Sequence, residues 1–174
     1  MILDYLDKNL IKPLDELTET RRDFPWFFIK DSVGIDGKSF PVFTHLIYEK
    51  ERELNSTPEL FNYVFDILKS IFNKHNIEYE FIDRIQINLL FPFVNSTLHN
   101  NIHTDKEDKG YSTILIYLND SEGDTIIYDK ETYNVTPEQG KYVIFDSNIK
   151  HTASLPKDTL TRKVINIVIK NKDK

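Results

Sequence analysis

Two histidines and one aspartate are the residues of this chain best suited to hold a metal ion. His103 and Asp105 are two residues apart, so on an extended segment their side chains project from the same face toward one point. His151 lies much later in the chain, and only a folded β structure can bring it to that point. Two histidines and one carboxylate suit non-haem Fe(II) and leave three coordination positions open. The chain has no cysteine, so its metal ligands must be nitrogen and oxygen atoms.

The pairing His103-Thr104-Asp105 carries little weight alone, because short pairings of histidine with aspartate arise by chance and usually form surface hydrogen bonds. His45 and His75 have no ligand-type residue at a suitable spacing, so we predict surface or hydrogen-bonded core roles for both. His99 precedes His103 by four residues and could replace it as a ligand or contact a substrate. The adjacent histidine–aspartate pairing favours His103.

Strand-like segments surround these residues in the second half of the chain. They are rich in β-branched and aromatic residues and are separated by turn signals such as Asn119 to Gly123 and Glu138 to Gly140. The predicted strands are Glu80 to Phe91, Ser112 to Leu118, Thr125 to Asp129, Lys141 to Phe145 and Arg162 to Ile169. Because no helix intervenes between them, they predict an antiparallel sandwich or barrel.

The first half of the chain has a mixed pattern. A helix is predicted from Ser56-Thr57-Pro58-Glu59 to about Lys74, with apolar residues every three or four positions on one face. Near-helical spacing of leucines predicts a short helix over residues 2 to 11, ended by Pro13. Two further strands, at residues 24 to 29 and 42 to 48, are expected at the sheet edge, separated by a polar turn with Gly34 and Gly37.

Length and charge limit the functional classes. A chain of 174 residues with 40% hydrophobic content can form one sizeable core, so we predict a single domain. The net charge of −6 gives no overall field that attracts phosphate backbones, which disfavours a nucleic-acid partner. The sequence contains no run long enough to span a membrane and no signal-peptide pattern. We therefore expect a cytoplasmic protein, in the host cytoplasm if a phage encodes it.

The combined order of several segments is more specific than any one of them. The segments are His103-Thr104-Asp105, then Tyr111 to Asn119, Gly123-Asp124-Thr125, Gly140 to Asp146, His151 and Arg162. In order and spacing they resemble the catalytic core of the 2-oxoglutarate/Fe(II)-dependent oxygenases. The resemblance is to the prolyl-4-hydroxylase-like branch, especially its small phage and bacterial forms, and covers about residues 84 to 169.

This resemblance implies a mainly β fold with supporting helices, a double-stranded β-helix or jelly roll. Residues 1–80 would support a catalytic core at residues 81–170. It further implies Fe(II) held by His103, Asp105 and His151, with 2-oxoglutarate as cosubstrate and O2 as oxidant. Arg162 would bind the distal carboxylate of 2-oxoglutarate, and Tyr117 would assist it by a hydrogen bond.

The residue chemistry supports Arg162 independently, because a guanidinium engages a carboxylate with two parallel hydrogen bonds. Without the upstream triad, a solvated arginine at a strand end would be the simpler interpretation. Arg84, Gln86 and Asn88 form a polar strand face that either lines a pocket or faces water, and we favour the pocket for Asn88. Thr125 is predicted to line the same pocket, although a β-branched strand residue needs no special role.

The implied reaction is hydroxylation of a C–H bond with release of succinate and CO2. A peptidyl proline, another protein side chain and a small metabolite all stay open as substrates, and the sequence does not indicate the oligomeric state. A nucleic-acid demethylase is disfavoured because Val168 occupies the position of that branch's second arginine. Acidic residues Glu107 and Asp108 are most simply a solvated loop, although they could attract a basic target. The rivals are a non-catalytic jelly-roll binding module and a cupin-type metalloenzyme.

Overall fold

Two antiparallel sheets and two helices make up the part of the chain that the structure describes. The structure is a computed structural model, and the residues described are 1–20, 22–30, 40–92 and 101–172. The helices are α1 (Lys8–Thr20) and α2 (Pro58–His75). The strands are β1 (Ile2–Tyr5), β2 (Phe27–Ile29), β3 (Val42–Glu49), β4 (Leu54–Asn55), β5 (Tyr79–Leu90), β6 (Tyr111–Tyr117), β7 (Thr125–Tyr128), β8 (Thr132–Val135), β9 (Lys141–Asp146), β10 (Lys150–Ala153) and β11 (Arg162–Asn171).

The larger sheet has the strand order β1-β9-β6-β11-β5-β3-β2, with β4 paired to β3, and the smaller sheet has the order β10-β7-β8. Side chains from both sheets pack together in one apolar cluster, so the sheets lie face to face. The packed residues of this cluster are Leu115, Tyr117, Ile127, Val135, Val143, Phe145 and Val164. The predicted mainly β jelly roll with supporting helices is confirmed.

Strand β11 lies in the middle of the larger sheet, and both of its faces are buried. Ile165, Ile167 and Ile169 project toward the helices and join a core with the apolar stripe of α2. On the opposite face, Arg162 and Val164 point into the space between the sheets, in register with Leu90 and Asn88 on β5. Because the side chains of a strand alternate between its faces, one strand serves the core and a cavity at once.

The helix α2 follows its sequence prediction closely. Pro58 occupies its first turn, where a missing backbone N–H costs nothing, and Asn76 ends it in the left-handed region with φ 53°. Its buried residues lie on one stripe that packs on the large sheet: Leu60, Val64, Ile67, Leu68, Ile71 and Phe72. No helix in the described ranges is long and apolar enough to cross a membrane.

The predicted helix over residues 2 to 11 is wrong. Residues Ile2–Tyr5 form β1 and pair with β9, and the helix that follows runs through Pro13 to Thr20. Asp7 caps this helix, since its Oδ1 accepts a hydrogen bond of 2.9 Å from the N–H of Asn9. Pro13 destabilises the helix, but α1 forms nevertheless because it buries Ile11 and Leu14 in the main core.

The two strands predicted at the sheet edge are confirmed as β3 and β2, which end the order of the larger sheet. The turn with Gly34 and Gly37 lies outside the described residues. The short strands β4, β8 and β10 were not predicted, because segments of two to four residues carry too little periodicity. One of these, β10, carries His151.

Lys163 anchors α1 to the sheet. Its side chain is 2% exposed, its ammonium forms an ion pair with the Asp15 carboxylate, and it donates a 3.2 Å hydrogen bond to the Asp15 carbonyl. We expect Lys163→Met to lower the free energy of unfolding by about 2 kcal/mol, because the variant leaves a half-buried carboxylate without its counter-ion. Urea unfolding measures this. The control is Lys12→Met, whose lysine is 67% exposed, and an equal loss in both variants would contradict the anchoring role.

His45 is a buried core histidine with both ring nitrogens hydrogen-bonded, to the Pro25 carbonyl and to Thr57 Oγ1, each at 3.0 Å. Burial lowers its pKa below 6.5 because the charged imidazolium is poorly solvated. The unfolded chain therefore binds more protons in this range, so His45 reduces stability as the pH falls below 6.5. We expect the free energy of unfolding to fall less between pH 7.5 and 5.5 in His45→Gln than in the wild type. Identical pH slopes would contradict this.

Candidate metal centre

The backbone brings His103 and His151 side by side. The N–H of His103 donates to the His151 carbonyl at 3.0 Å, and the N–H of His151 donates to the His103 carbonyl at 2.8 Å. Two residues further on, the N–H of Asp105 donates to the Ser147 carbonyl at 3.0 Å. Ligand atoms of His103, Asp105 and His151 all lie within 4.8 Å of one another. Pairing of this loop with β10 thus unites residues that are 46 to 48 positions apart in sequence.

The hydrogen bonds of the two histidines leave Nε2 of each ring available to a metal. His103 Nδ1 lies 3.0 Å from the Asn101 carbonyl, and His151 Nδ1 lies 3.1 Å from the Ile149 carbonyl. A carbonyl only accepts hydrogen bonds, so each Nδ1 carries the proton and each Nε2 presents its lone pair. Metal-binding histidines are oriented in this way by their second nitrogen. The donor set therefore fits a divalent metal such as Fe(II).

Asp105 is held by a ring of donors. Its side chain is 4% exposed; Oδ1 accepts from Arg84 Nη2 at 3.0 Å, and Oδ2 accepts from Thr113 Oγ1 at 2.8 Å. Asn166 Nδ2 donates to both oxygens, at 3.2 and 3.3 Å. Oδ2 is also 3.6 Å from His151 Nε2. The clamp, meaning Arg84, Thr113 and Asn166, fixes the carboxylate beside the two imidazoles.

The protonation states of the site suit metal binding. Burial acts to raise the pKa of Asp105, but the His151 ring when it is protonated, the charge of Arg84 and the hydrogen bond from Thr113 outweigh it, so the pKa is lowered. Burial lowers the pKa of His151 and favours the neutral ring. An ionised carboxylate and a neutral imidazole are the forms that ligate metals.

A cavity of about 650 Å³ opens onto these three residues and is also lined by Arg162, Thr125 and Asn88. Arg162 is 2% exposed, so it is not a solvated strand end. Its Nε donates to the Gly123 carbonyl at 2.6 Å and its Nη2 donates to Thr125 Oγ1 at 2.7 Å. No ion pair joins it to a carboxylate within the described ranges.

Gly123 makes room for this arginine. A Cβ at this position would lie 2.8 Å from Arg162 Cδ and 2.6 Å from the Ser154 carbonyl oxygen, so any larger residue would force the backbone or the arginine to move. Burial lowers the pKa of the Arg162 guanidinium, while Tyr117 and Asp124 oppose that shift. A buried cation held by neutral oxygens at a cavity wall is a natural site for a carboxylate.

Tyr117 is fully buried and does not line the cavity. Its hydroxyl donates to Thr125 Oγ1 at 2.7 Å, the same oxygen that accepts from Arg162. A threonine hydroxyl with two donors on its oxygen keeps its own proton to donate. Asn88 Oδ1 accepts a 2.6 Å hydrogen bond from Gln86, and both residues line the cavity. The roles of these residues toward 2-oxoglutarate stay predictions.

Sequence reasoning missed most of the clamp. Arg84 was predicted only as part of a polar strand face, while Thr113 and Asn166 were assigned no role at the site. The alternation of Arg162, Val164 and Asn166 on one face of β11 was the signal that could have identified Asn166. Nothing in sequence marks Thr113, because a threonine in a strand is ordinary. His75 bonds to the Tyr142 hydroxyl at 2.7 Å, away from the site, and His99 lies outside the described residues.

Comparison with solved structures identifies the architecture. A prolyl-4-hydroxylase from Pseudomonas putida aligns with 99% of this chain and 92% of its own, at a TM-score of 0.64 and 14% identity. An oxidoreductase of the 2OG-Fe(II) oxygenase family from Burkholderia pseudomallei aligns with 92% of this chain and 79% of its own, at a TM-score of 0.68 and 15% identity. A prolyl hydroxylase from Trichoplax adhaerens, in complex with a hypoxia inducible factor peptide fragment, aligns with 98% of this chain and 83% of its own. Its TM-score is 0.66 and its sequence identity is 14%.

The chain has the 2-oxoglutarate/Fe(II) oxygenase fold. No family model and no curated protein sequence matches it. At 14 to 15% identity the property shared with these oxygenases is the fold, and the structural resemblance that the sequence indicated is confirmed at that level.

The clamp generates a prediction about metal affinity. Thr113→Val keeps the side-chain shape but removes the hydroxyl that donates to Asp105 Oδ2 and contacts Ser147 Oγ at 2.9 Å. Loss of a group that orients a metal ligand lowers metal affinity by about 10–100-fold. We expect a loss in this range for Co(II), measured by titration of its visible absorption. The control is Thr132→Val at an exposed position of β8, and an unchanged affinity in Thr113→Val would contradict the role of the clamp.

Proposed function

We propose that this protein is an Fe(II)- and 2-oxoglutarate-dependent oxygenase that hydroxylates a C–H bond of an amino-acid-type substrate. One observation carries the proposal. A histidine–aspartate–histidine group with both Nε2 atoms available shares a cavity with Arg162, a buried guanidinium without a carboxylate partner in the described part of the chain. The metal ligands and the anion site are the two components that binding of 2-oxoglutarate requires.

His103, Asp105 and His151 would hold the iron and leave three coordination positions for the cosubstrate and dioxygen. When bound, iron would activate dioxygen as the oxidant: 2-oxoglutarate would be oxidatively decarboxylated to succinate and CO2, with one oxygen atom of O2 entering succinate and the other entering the substrate C–H bond. Arg162 would bind the distal carboxylate as a planar fork. Its Nη1 makes no hydrogen bond within the described residues, so one donor nitrogen is available without rearrangement.

Thr125, with its own hydroxyl proton free, would add a hydrogen bond to the same carboxylate. Tyr117 would act through Thr125 by holding that hydroxyl in place. Leu115 and Val164 line the cavity and keep water from the cosubstrate, while Asn88 offers its amide N–H2 to a ligand. The protein's contribution is thus positioning, charge compensation and exclusion of water.

The compared structures and the size of the cavity indicate which substrates to test. Two of the compared structures are prolyl hydroxylases, one with a peptide fragment bound, which supports a prolyl residue as the first candidate to test. A cavity of about 650 Å³ also suits a free amino acid or another small molecule. We also propose that residues 1–174 form one catalytic domain, because β1 from the first half of the chain pairs with β9 from the second.

Succinate formation from 2-oxoglutarate, with Fe(II) and under air, tests the proposed reaction. We expect iron-dependent succinate in the wild type and none with Asp105→Ala. Charge-assisted hydrogen bonds contribute about 1.5–3 kcal/mol, so Arg162→Ala should need roughly 10–100 times more 2-oxoglutarate for half saturation. Arg162→Lys should fall between them, because it keeps the charge but not the fork. Arg52→Ala, at a surface arginine, is the matched control.

A spectroscopic measurement separates turnover from binding. The anaerobic iron–2-oxoglutarate complex has a visible charge-transfer band, which should form in the wild type and not with Asp105→Ala. The band without succinate would indicate an enzyme that turns over only with its substrate. Absence of both would contradict the proposal and favour a non-catalytic jelly-roll binding module.

A further inference from the structure

Positive side chains outnumber negative ones around the cavity. The charged residues that line it are Arg84, Lys106, Lys150, Arg162, Asp105 and Glu107. Four of these are cationic and two anionic, in a chain whose net charge is −6. The +2 charge of iron and the −2 charge of 2-oxoglutarate cancel. Loading the site as proposed above would therefore leave the excess of positive side-chain charge unchanged. A cavity with this balance attracts anions.

Two of the cations are accounted for. Lys106 is paired with Asp83 at 2.8 Å, and Arg162 is the proposed partner of the distal carboxylate of 2-oxoglutarate. Lys150 is exposed at the rim, where solvent screens its charge. Arg84 remains, with a side chain that is 29% exposed and lies directly beside the metal ligands.

Arg84 has unused capacity to bind an anion. Its Nη2 donates to Asp105 Oδ1 at 3.0 Å and to Asn166 Oδ1 at 3.3 Å, while Nη1 has no hydrogen-bond partner among the described residues. Its Nε is buried and also lacks a partner among them. When Asp105 coordinates a divalent cation, its single negative charge is shared with the metal. The positive charge of the guanidinium is then only partly compensated, which favours the binding of a further anion at this partly buried position.

We propose that Arg84 is a substrate-binding residue and that the primary substrate carries a carboxylate, which Arg84 binds beside the metal. The proposal rests on the function proposed above, since it assigns the second anion of the same cavity. The site would thus hold two carboxylate-bearing ligands, one at Arg162 and the other at Arg84. Glu107 is exposed and does not contact Arg84, so it does not neutralise this position.

Fluoroacetate is a probe of this anion site that needs no knowledge of the substrate. The protein is loaded with Mn(II) and saturating 2-oxoglutarate, and 19F relaxation reports whether the probe lies near the metal; Zn(II) gives the diamagnetic reference. We expect fluoroacetate to relax faster and its neutral isostere fluoroacetamide not to. In Arg84→Gln the dissociation constant of fluoroacetate should rise at least about tenfold, the loss of one charge-assisted interaction.

Arg84→Gln also removes a hydrogen bond to Asp105, so a second variant leaves the clamp intact. Gln86→Glu places a carboxylate two residues along the same cavity-facing side of β5, and it should abolish fluoroacetate binding while Mn(II) stays bound. Arg84→Lys should retain a preference for the anion over the amide. Lys150→Gln is the matched control for loss of a cavity cation and should change the dissociation constant less than about twofold, as expected for a screened surface charge.

Equal relaxation of fluoroacetate and fluoroacetamide, or full fluoroacetate binding in both Arg84→Gln and Gln86→Glu, would overturn the proposal. The charge-transfer band, measured with Fe(II) on the same preparations, keeps the two proposals separate. A band without anion selectivity overturns only the role of Arg84, whereas absence of the band overturns the proposed function itself.

Competition identifies the source of the carboxylate. Acetylglycine represents a free acid, and the blocked peptide acetyl-Gly-Asp-Gly-amide represents an acidic side chain of a polypeptide. Displacement of fluoroacetate by one of them supports the proposal and assigns the source, and displacement by neither overturns the assignment of this anion site to the substrate.

Discussion

A buried carboxylate is the constraint on which this structure depends. The side chain of Asp105 is 4% exposed, and an ionised group so largely shielded from water must be matched by donors and positive charge. Arg84, Thr113 and Asn166 supply these from three neighbouring strands, β5, β6 and β11. These strands are neighbours at the centre of the larger sheet, so their pairing is required to bring the three donors to the carboxylate.

These strands also have one face in the apolar core and the opposite face toward the cavity. One face of β11 supplies isoleucines to the core beneath α2, and the other supplies Arg162, Val164 and Asn166 to the cavity. Because alternation in a strand is strict, a shift of register by one residue would exchange these sets and bury the polar groups in the core. The two helices cover the apolar face and leave the polar face for the site.

Alternate residues of β5 line the cavity and present polar groups to it. Near Leu90 it meets Arg162, and near Arg84 it meets Asp105, with Gln86 and Asn88 between them. Arg162 therefore lies beside the Leu90 end of β5, whereas Arg84 lies near the middle of the strand, next to the metal ligand Asp105. In the proposed function, Arg162 and Arg84 would bind two carboxylate-bearing ligands at separate points along β5, so electrostatic complementarity would contribute to the selectivity of the cavity.

Much of the fold could be predicted from the sequence, because long segments such as α2 and β11 have extended apolar patterns. The ligand types His103, Asp105 and His151 were also evident, since few residues bind metals and cysteine is absent. The helix predicted over residues 2 to 11 failed because pairing of β1 with β9 outweighed local spacing.

By itself, then, the sequence determined which residues could ligate a metal or bind a carboxylate, and which of the longer segments in the second half of the chain would be strands. Only the tertiary structure decided that Arg84, Thr113 and Asn166 converge on one carboxylate, and that Tyr117 reaches Thr125 rather than the cavity. The reason is physical: hydrogen bonds between side chains depend on strand order and register. Those are set by long-range packing that no local pattern encodes.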